Sequence, residues 1–284
     1  MAKLNTIPKT VANSVLVYGP PKTGKTKLVG DLTRSGFKLL YIGLENGHQT
    51  LFQLPPELQD LIDVVILPDT RSFPIGIETC LKIIKGGECY VNNTTGKVQA
   101  PGVAKLKPEE HTRVCLSELG PDTIVVFDSI TQLTNSAISH ITKNEPDDYK
   151  LTYDDWGNLG KLMDIFLSHV QQAKFNVICI SHETEAELED GKMKIVPVAG
   201  TRNFSRNCAK YFGHVVYTEV KGGKHVFSSS TTAINKIVMG SRTDVALEKM
   251  SEPSLAPIFK GEVAKSENNG EKAASQLKSL LIKK

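Results

Sequence analysis

The stretch Gly19-Pro-Pro-Lys-Thr-Gly-Lys-Thr26 reads G-x-x-x-x-G-K-T, the pattern of a phosphate-binding loop. Its flanks supply the context the motif requires. Val15-Leu-Val-Tyr18 in front suits a buried strand, and Lys27-Leu-Val-Gly-Asp-Leu32 behind suits a helix. Gly19, Pro20, Pro21, Lys22, Thr23, Gly24, Lys25 and Thr26 then form the cofactor-binding set. Gly19 and Gly24 leave room for backbone N–H groups to face phosphate oxygens, and the helix N-terminus adds partial positive charge. Lys25 would reach the β- and γ-phosphates and Thr26 would ligate Mg²⁺. The rest of the chain is therefore expected to be arranged around a bound nucleoside triphosphate.

Composition narrows the class without choosing a function. A chain of 284 residues with 40% hydrophobic and 23% charged residues is an ordinary globular protein, long enough for one large domain or two small ones. A net charge of +3 does not mark a nucleic-acid binder, so any basic surface must be local. The five cysteines are odd in number, are scattered and form no C-x-x-C, which fits a reducing compartment. Cys89, His111 and Cys115 lack a fourth ligand at suitable spacing, so zinc is not expected. The N-terminus has no apolar signal core and no run reaches membrane-spanning length, so a soluble, cytoplasmic protein without membrane contact is expected.

The chain then alternates strand and helix. Lys38–Leu44 reads as a second buried strand, and Glu45 follows it at the end where open α/β sheets bind ligands. Ile62–Leu67 is a third strand and Ile75–Ile84 a helix. Residues 88–106 read as a β-hairpin inserted between two α/β units, and Pro108 opens a helix over Glu109–Leu119. Thr123–Asp128 is an apolar run closed by an acid, and Asp128 is the expected second Mg²⁺ residue beside Thr26. Residues 134–152 read as a long polar loop. A helix follows from Thr152 to Lys174, with Trp156, Leu159, Met163, Phe166 and Val170 as its core stripe. Asn176–Ser181 is a strand leading straight into His182, and residues 184–200 form a second polar loop. A short helix, a hairpin turning at Lys221-Gly-Gly-Lys224 and a last strand over Ile234–Met239 complete the core. Residues 261–274 look like a linker, and Gln276–Lys284 like a short basic helix. This predicts an N-terminal arm (1–13), a core (14–250) and a flexible tail (251–284). The expected fold is α/β, three-layered, with a twisted, mostly parallel sheet and a C-terminal antiparallel extension.

A GTPase reading fails on residues. Thr131 stands where D-x-x-G needs Gly, and Asn235-Lys-Ile-Val lacks the Asp that guanine needs. Helicases and AAA-type ATPases usually carry Glu directly after the metal-holding Asp, and here that position is Ser129. Glu45 is then the best placed carboxylate to activate water.

On Gly19–Thr26, Leu39–Glu45, Ile124–Ser129 and Ile178–His182, the chain resembles RecA-type recombinases. Its compact size looks most like phage-encoded RecA-core single-strand-annealing or nucleotide-binding proteins. The resemblance implies an ATPase that uses ATP and Mg²⁺ on single-stranded DNA, in the cytoplasm of an infected bacterial host. It implies a homo-oligomer, ring or filament, and a single-strand-binding protein as a partner for the C-terminal tail. Glu45 matches the catalytic glutamate, and His182 stands where the family places a γ-phosphate sensor, often Gln. Arg242, with Lys236, matches cations sent to a neighbour's nucleotide. Loops 134–152 and 184–200 match the two DNA-facing loops. Both carry as many acids as bases or more, so the set Arg202, Arg206 and Lys210, on one helical face, is the better basic patch. A nucleotide-gated DNA-binding module with little hydrolysis, and a translocation or packaging motor, are the competing readings.

Overall fold

A computed structural model of the chain describes residues 12–103, 106–187, 191–230, 236–242, 246–250 and 252–260. In chain order these form β1 (Ser14–Tyr18), α1 (Lys25–Gly30), β2 (Lys38–Gly43), α2 (Pro56–Gln59), β3 (Ile62–Ile66), α3 (Ile75–Ile83), β4 (Cys89–Asn92), β5 (Val98–Gln99), β6 (His111–Val114) and β7 (Thr123–Asp128). There follow α4 (Ile130–Ile141), α5 (Tyr153–Gln171), β8 (Asn176–Ser181), β9 (Glu183–Glu187), β10 (Met193–Pro197), α6 (Arg202–Asn207), β11 (His214–Lys221), β12 (Lys224–Ser228), β13 (Gly240–Ser241) and α7 (Ala256–Lys260).

The main sheet runs β12-β11-β1-β8-β7-β2-β3, with β13 pairing β11. From β11 to β3 every pair is parallel, and β12 and β13 join β11 antiparallel. The central strands are near-continuous apolar runs because both faces are covered. Alternate residues go to opposite sides. Leu16, Val125, Phe127 and Val177 pack with α3, α4 and α5, whereas Val15, Tyr41, Val126 and Ile178 pack with α1 and α7. This is a three-layer α/β fold with a mostly parallel sheet and an antiparallel extension on the C-terminal side.

Several expectations need correction. Glu109–Leu119 is not a helix: His111–Val114 is β6, pairing β4 in a separate sheet of order β5-β4-β6, and Leu116–Glu118 is a 3₁₀ turn. Arg113 bridges Glu88 and Glu118 there, a cross-strand attraction invisible to local periodicity. The inserted unit therefore runs past 106. Residues 134–141 are helical, because Ser129 caps α4 by accepting from Gln132 N. The second polar loop is the hairpin β9–β10. Trp156 is 42% exposed, one turn before the buried stripe of α5 begins at Leu159. A 3₁₀ turn replaces the α-helix after Asn207, so Lys210 leaves the face of Arg202 and Arg206 and lies 4.8 Å over the Tyr211 ring. Of the expected last strand, Ile234 and Asn235 lie outside the described residues, Ile237 makes one bridge to Ile195, and the paired strand is Gly240–Ser241. The linker and basic helix of the tail also lie outside them, as do residues 1–11. No helix among the described residues is long and apolar enough to cross a membrane.

Candidate active site

The site occupies the rim at the C-terminal ends of the parallel strands. β8 lies between β1 and β7, and β2 lies beyond β7. The rim thus presents the Gly19–Thr26 loop, His182, Asp128 with Ser129, and Glu45 in spatial succession. Only the crossovers between non-adjacent strands bring these distant residues together.

The loop is folded tightly. Gly19 has φ 150° and an added Cβ would lie 2.1 Å from the Thr218 carbonyl oxygen. Gly24, at φ 88°, turns the chain into α1. Thr23 Oγ1 shares a hydrogen bond of 2.6 Å with Thr218 Oγ1 on β11, and the His225 ring on β12 lies 3.0 Å from the Thr23 carbonyl. Lys25 Nζ donates to the carbonyls of Gly19 (2.9 Å) and Pro20 (2.6 Å). At 6% exposure its ammonium is drawn down to about 8 by burial, against the pull of Asp128, Glu45 and Glu183.

Asp128 is 4% exposed. Its Oδ2 accepts from Thr26 Oγ1 at 2.9 Å and from the Tyr41 hydroxyl at 2.5 Å. Burial lifts the carboxyl above its ordinary range, countered first by Tyr41 and then by Thr26. Gly47 passes so close that a Cβ there would lie 2.5 Å from Asp128 Oδ2. A carboxylate and a hydroxyl held together are hard oxygen donors, the chemistry suited to a Mg²⁺ that keeps several waters. The residues present fit that ion.

Glu45 and His182 meet over this pair. Glu45 Oε2 is 3.7 Å from His182 Nε2, a polar contact longer than a hydrogen bond, and Oε1 accepts from the Ser129 hydroxyl. The facing His182 and the Ser129 hydroxyl hold the Glu45 carboxyl below its ordinary range, against partial burial. His182 N donates to Thr131 Oγ1 at 2.9 Å, and its Nδ1 is buried without a hydrogen-bond partner among the described residues. Glu45, Lys25, Thr26, Asp128 and His182 line one cleft of about 210 Å³.

Arg242 is not in this cleft. It is exposed, its N–H donates to the Gly213 carbonyl, and its side chain passes Gly213 at the opposite end of β11. Sequence reasoning missed Tyr41, Ser129 and Gly47 as parts of the site. Ser129 had a signal: a Ser followed by an amphipathic segment is a helix N-cap, and the polarity of that segment hid the helix. Tyr41 had none, being one more large residue in a strand.

The hairpin β9–β10 starts one residue after β8 and stays tied to the loop's own strand. The Tyr18 hydroxyl bonds the carbonyls of Val238 (2.6 Å) and Ile195 (3.2 Å), and Tyr217, edge-on to Tyr18, donates to Glu183.

No curated protein matches the chain. A solved structure to which it is similar is the crystal structure of the RadB recombinase, at 17% identity over 76% of this chain and 79% of that one, with a TM-score of 0.38. The AAA domain family matches residues 12–236, and with its phosphate loop, its parallel sheet and its acid at the end of β7, the chain belongs to the AAA domain family of phosphate-loop ATPases.

Proposed function

We propose that the protein binds and hydrolyses ATP with Mg²⁺ and acts on single-stranded DNA in phage recombination or annealing. The observation that carries the hydrolytic part is convergence: Glu45 and His182, from different strands, face each other across the cleft that Thr26 and Asp128 line. Mg²⁺, when bound, neutralises phosphate charge and orients the transferred group. The loop Gly19–Thr26 holds the phosphates and Lys25 neutralises their charge. Thr26 and Asp128 hold the metal, with Tyr41 fixing the Asp128 oxygen. Glu45 is the general base for water, and its lowered proton affinity keeps it ionised at neutral pH. His182, with a ring nitrogen to donate, contacts the γ-phosphate and releases Glu45 as it does so. Arg242, at the far end of β11, serves a neighbouring subunit in a homo-oligomer.

The DNA part rests on continuity. β9 follows His182 directly, and α4 follows Ser129 directly, so both polar segments begin at residues that touch Glu45. Nucleotide chemistry at the rim is then felt by the segments proposed to face DNA. One observation favours a second reading, a nucleotide-gated DNA-binding module with little hydrolysis. The Glu45 carboxylate is engaged by Ser129 and His182 rather than free to take a proton.

Phosphate release from Mg²⁺-ATP, measured with and without single-stranded DNA, tests both. DNA is expected to stimulate turnover. Glu45→Gln should lower it by roughly 10²- to 10⁴-fold while ATP binding is retained. Full activity in that variant would sink the assignment of Glu45. Slow, DNA-insensitive turnover alongside ATP-dependent DNA binding would favour the gated module.

A further inference from the structure

In the sheet β7 lies between β8 and β2, and α4 rises from β7. The first turn of α4 therefore stands between the residues that end those two outer strands, His182 and Glu45. Two hydroxyls at this turn reach to opposite sides. Toward β2, Ser129 Oγ accepts from Gln132 N and donates to Glu45 Oε1. Toward β8, Thr131 Oγ1 accepts from His182 N at 2.9 Å and lies 3.2 Å from Ser181 Oγ. The Ser181 hydroxyl bonds the carbonyls of Val198 (2.8 Å) and His182 (2.9 Å), which only accept. Its proton points to them, so it receives the Thr131 proton. Ser129 and Thr131 thus each have a donor on one side and an acceptor on the other, and neither can turn away without leaving a partner unpaired. Ser129 and Ser181 are buried, so water does not make good such a loss.

The two groups held in this way stand close without bonding, Glu45 Oε2 at 3.7 Å from His182 Nε2. A carboxylate bonded directly to an imidazole is a weaker base for water, and the imidazole then has one nitrogen fewer to offer a phosphate. Strands β2 and β8 are not neighbours, so no backbone ladder sets the gap. Neither Ser129 nor Thr131 lines the cleft itself. We propose that Thr131 is a positioning residue: through the backbone N–H of His182 it keeps the imidazole off Glu45, while Ser129 holds the carboxylate. The first turn of α4 then sets the gap that receives water and the γ-phosphate. The inference rests on the hydrolytic reading above and adds to it a residue that acts only through His182.

The test measures ATP turnover, ATP binding and thermal melting of the full chain with Mg²⁺, as wild type, Thr131→Val, Thr131→Ser, Ser129→Ala and Thr134→Val. Val keeps the shape of Thr and removes only the hydroxyl. Thr134 is the control: its buried hydroxyl, one turn further along α4, bonds the Ile130 carbonyl and Gly200 N and touches neither Glu45 nor His182. Thr131→Val is expected to lower kcat by about 10- to 100-fold with KM and ATP affinity unchanged, and Thr131→Ser to recover most of the loss. Ser129→Ala should lower kcat similarly, and the double variant Ser129→Ala/Thr131→Val little more than either alone, since both act on one gap. Thr134→Val should melt below wild type, as Thr131→Val does, yet keep wild-type kcat. Wild-type kcat in Thr131→Val overturns the proposal. So does an equal loss of kcat in Thr134→Val, or no recovery in Thr131→Ser, and in each case the hydrolytic reading stands. A wild type that binds ATP without turning it over overturns the hydrolytic reading, and this inference with it.

Discussion

At the C-terminal rim of the sheet, Lys25, Asp128 and Glu45 crowd ionisable groups around a cleft. At the N-terminal rim the side chains that tie the strands together are neutral and bond to neighbouring backbone and side-chain groups, with Arg242 exposed beside them. Asn176 Oδ1 accepts from Asn13 N, its Nδ2 donates to the Pro121 carbonyl, Ser14 Oγ accepts from Gly213 N, and His214 shares a hydrogen bond with Ser241. Both rims bury polar atoms, at different cost. Neutral groups with good partners fix the register of β1, β8 and β11 at small expense, while buried charges destabilise unless a counter-charge is near. Burial pushes both Lys25 and Asp128 toward their neutral forms, the mark of a cluster kept for chemistry rather than for stability. One end of the sheet is thus built to hold and the other to react.

The largest expected effect is at the reactive rim. Gly19→Ala places a Cβ 2.1 Å from the Thr218 carbonyl at a φ of 150°, so loop and β11 must separate. A loss of about 4 kcal/mol or more is expected in denaturant unfolding. Gly36→Ala is the control: it also has positive φ, but nothing lies within 4 Å of its Cβ, and it should cost only about 1 kcal/mol. Equal losses would mean that backbone conformation alone sets the cost.

The second effect probes the holding rim. Burial, with Arg242 nearby, draws His214 from its ordinary 6.5 to about 4. Between those values the unfolded chain binds the proton and the folded one refuses it. Stability is therefore intact above pH 6.5 and is lost as pH falls toward 4, by up to about 3 kcal/mol. Urea midpoints measured across that window should show the slope, and His214→Gln should flatten it. An unchanged slope in the variant would assign the acid sensitivity to the reactive rim instead.

The smallest effect lies away from both rims. Trp156→Ala, at an exposed site on α5, should change stability by less than about 1 kcal/mol, read by thermal melting. A larger loss would restore Trp156 to the core stripe.

The strands of the main sheet and the residues at their ends were legible because each is a short apolar run with a charged or Gly-rich stop. The two misread elements α4 and β6 share one physical cause: polar residues with partners far along the chain. Ser136 and Thr134 made α4 look like a loop, yet both are buried and bonded, Ser136 to Asp69 and to Ile77 N, Thr134 to the Ile130 carbonyl and Gly200 N. The strand β6 was lost for the same reason, since Arg113 and Thr112 gain their meaning from β4 and its turn. At the site, Glu45, His182 and Asp128 could each be found from a strand end. The Tyr41 hydroxyl that holds Asp128 could not, because it belongs to no spacing pattern, and Ser129 could be found only as the N-cap of α4.

The small sheet β5-β4-β6 branches off the main sheet, packing Val91 and Val114 into the core, and its ends meet, for Ser117 N donates to the Gly86 carbonyl at 2.9 Å. A path from 86 directly to 117 would still join the end of α3 to the approach of β7. In evolutionary terms the residues between read as an acquisition, grafted onto a finished ATPase without rerouting any strand. The same geometry makes this the place where the chain could accept or surrender a module while keeping its nucleotide site.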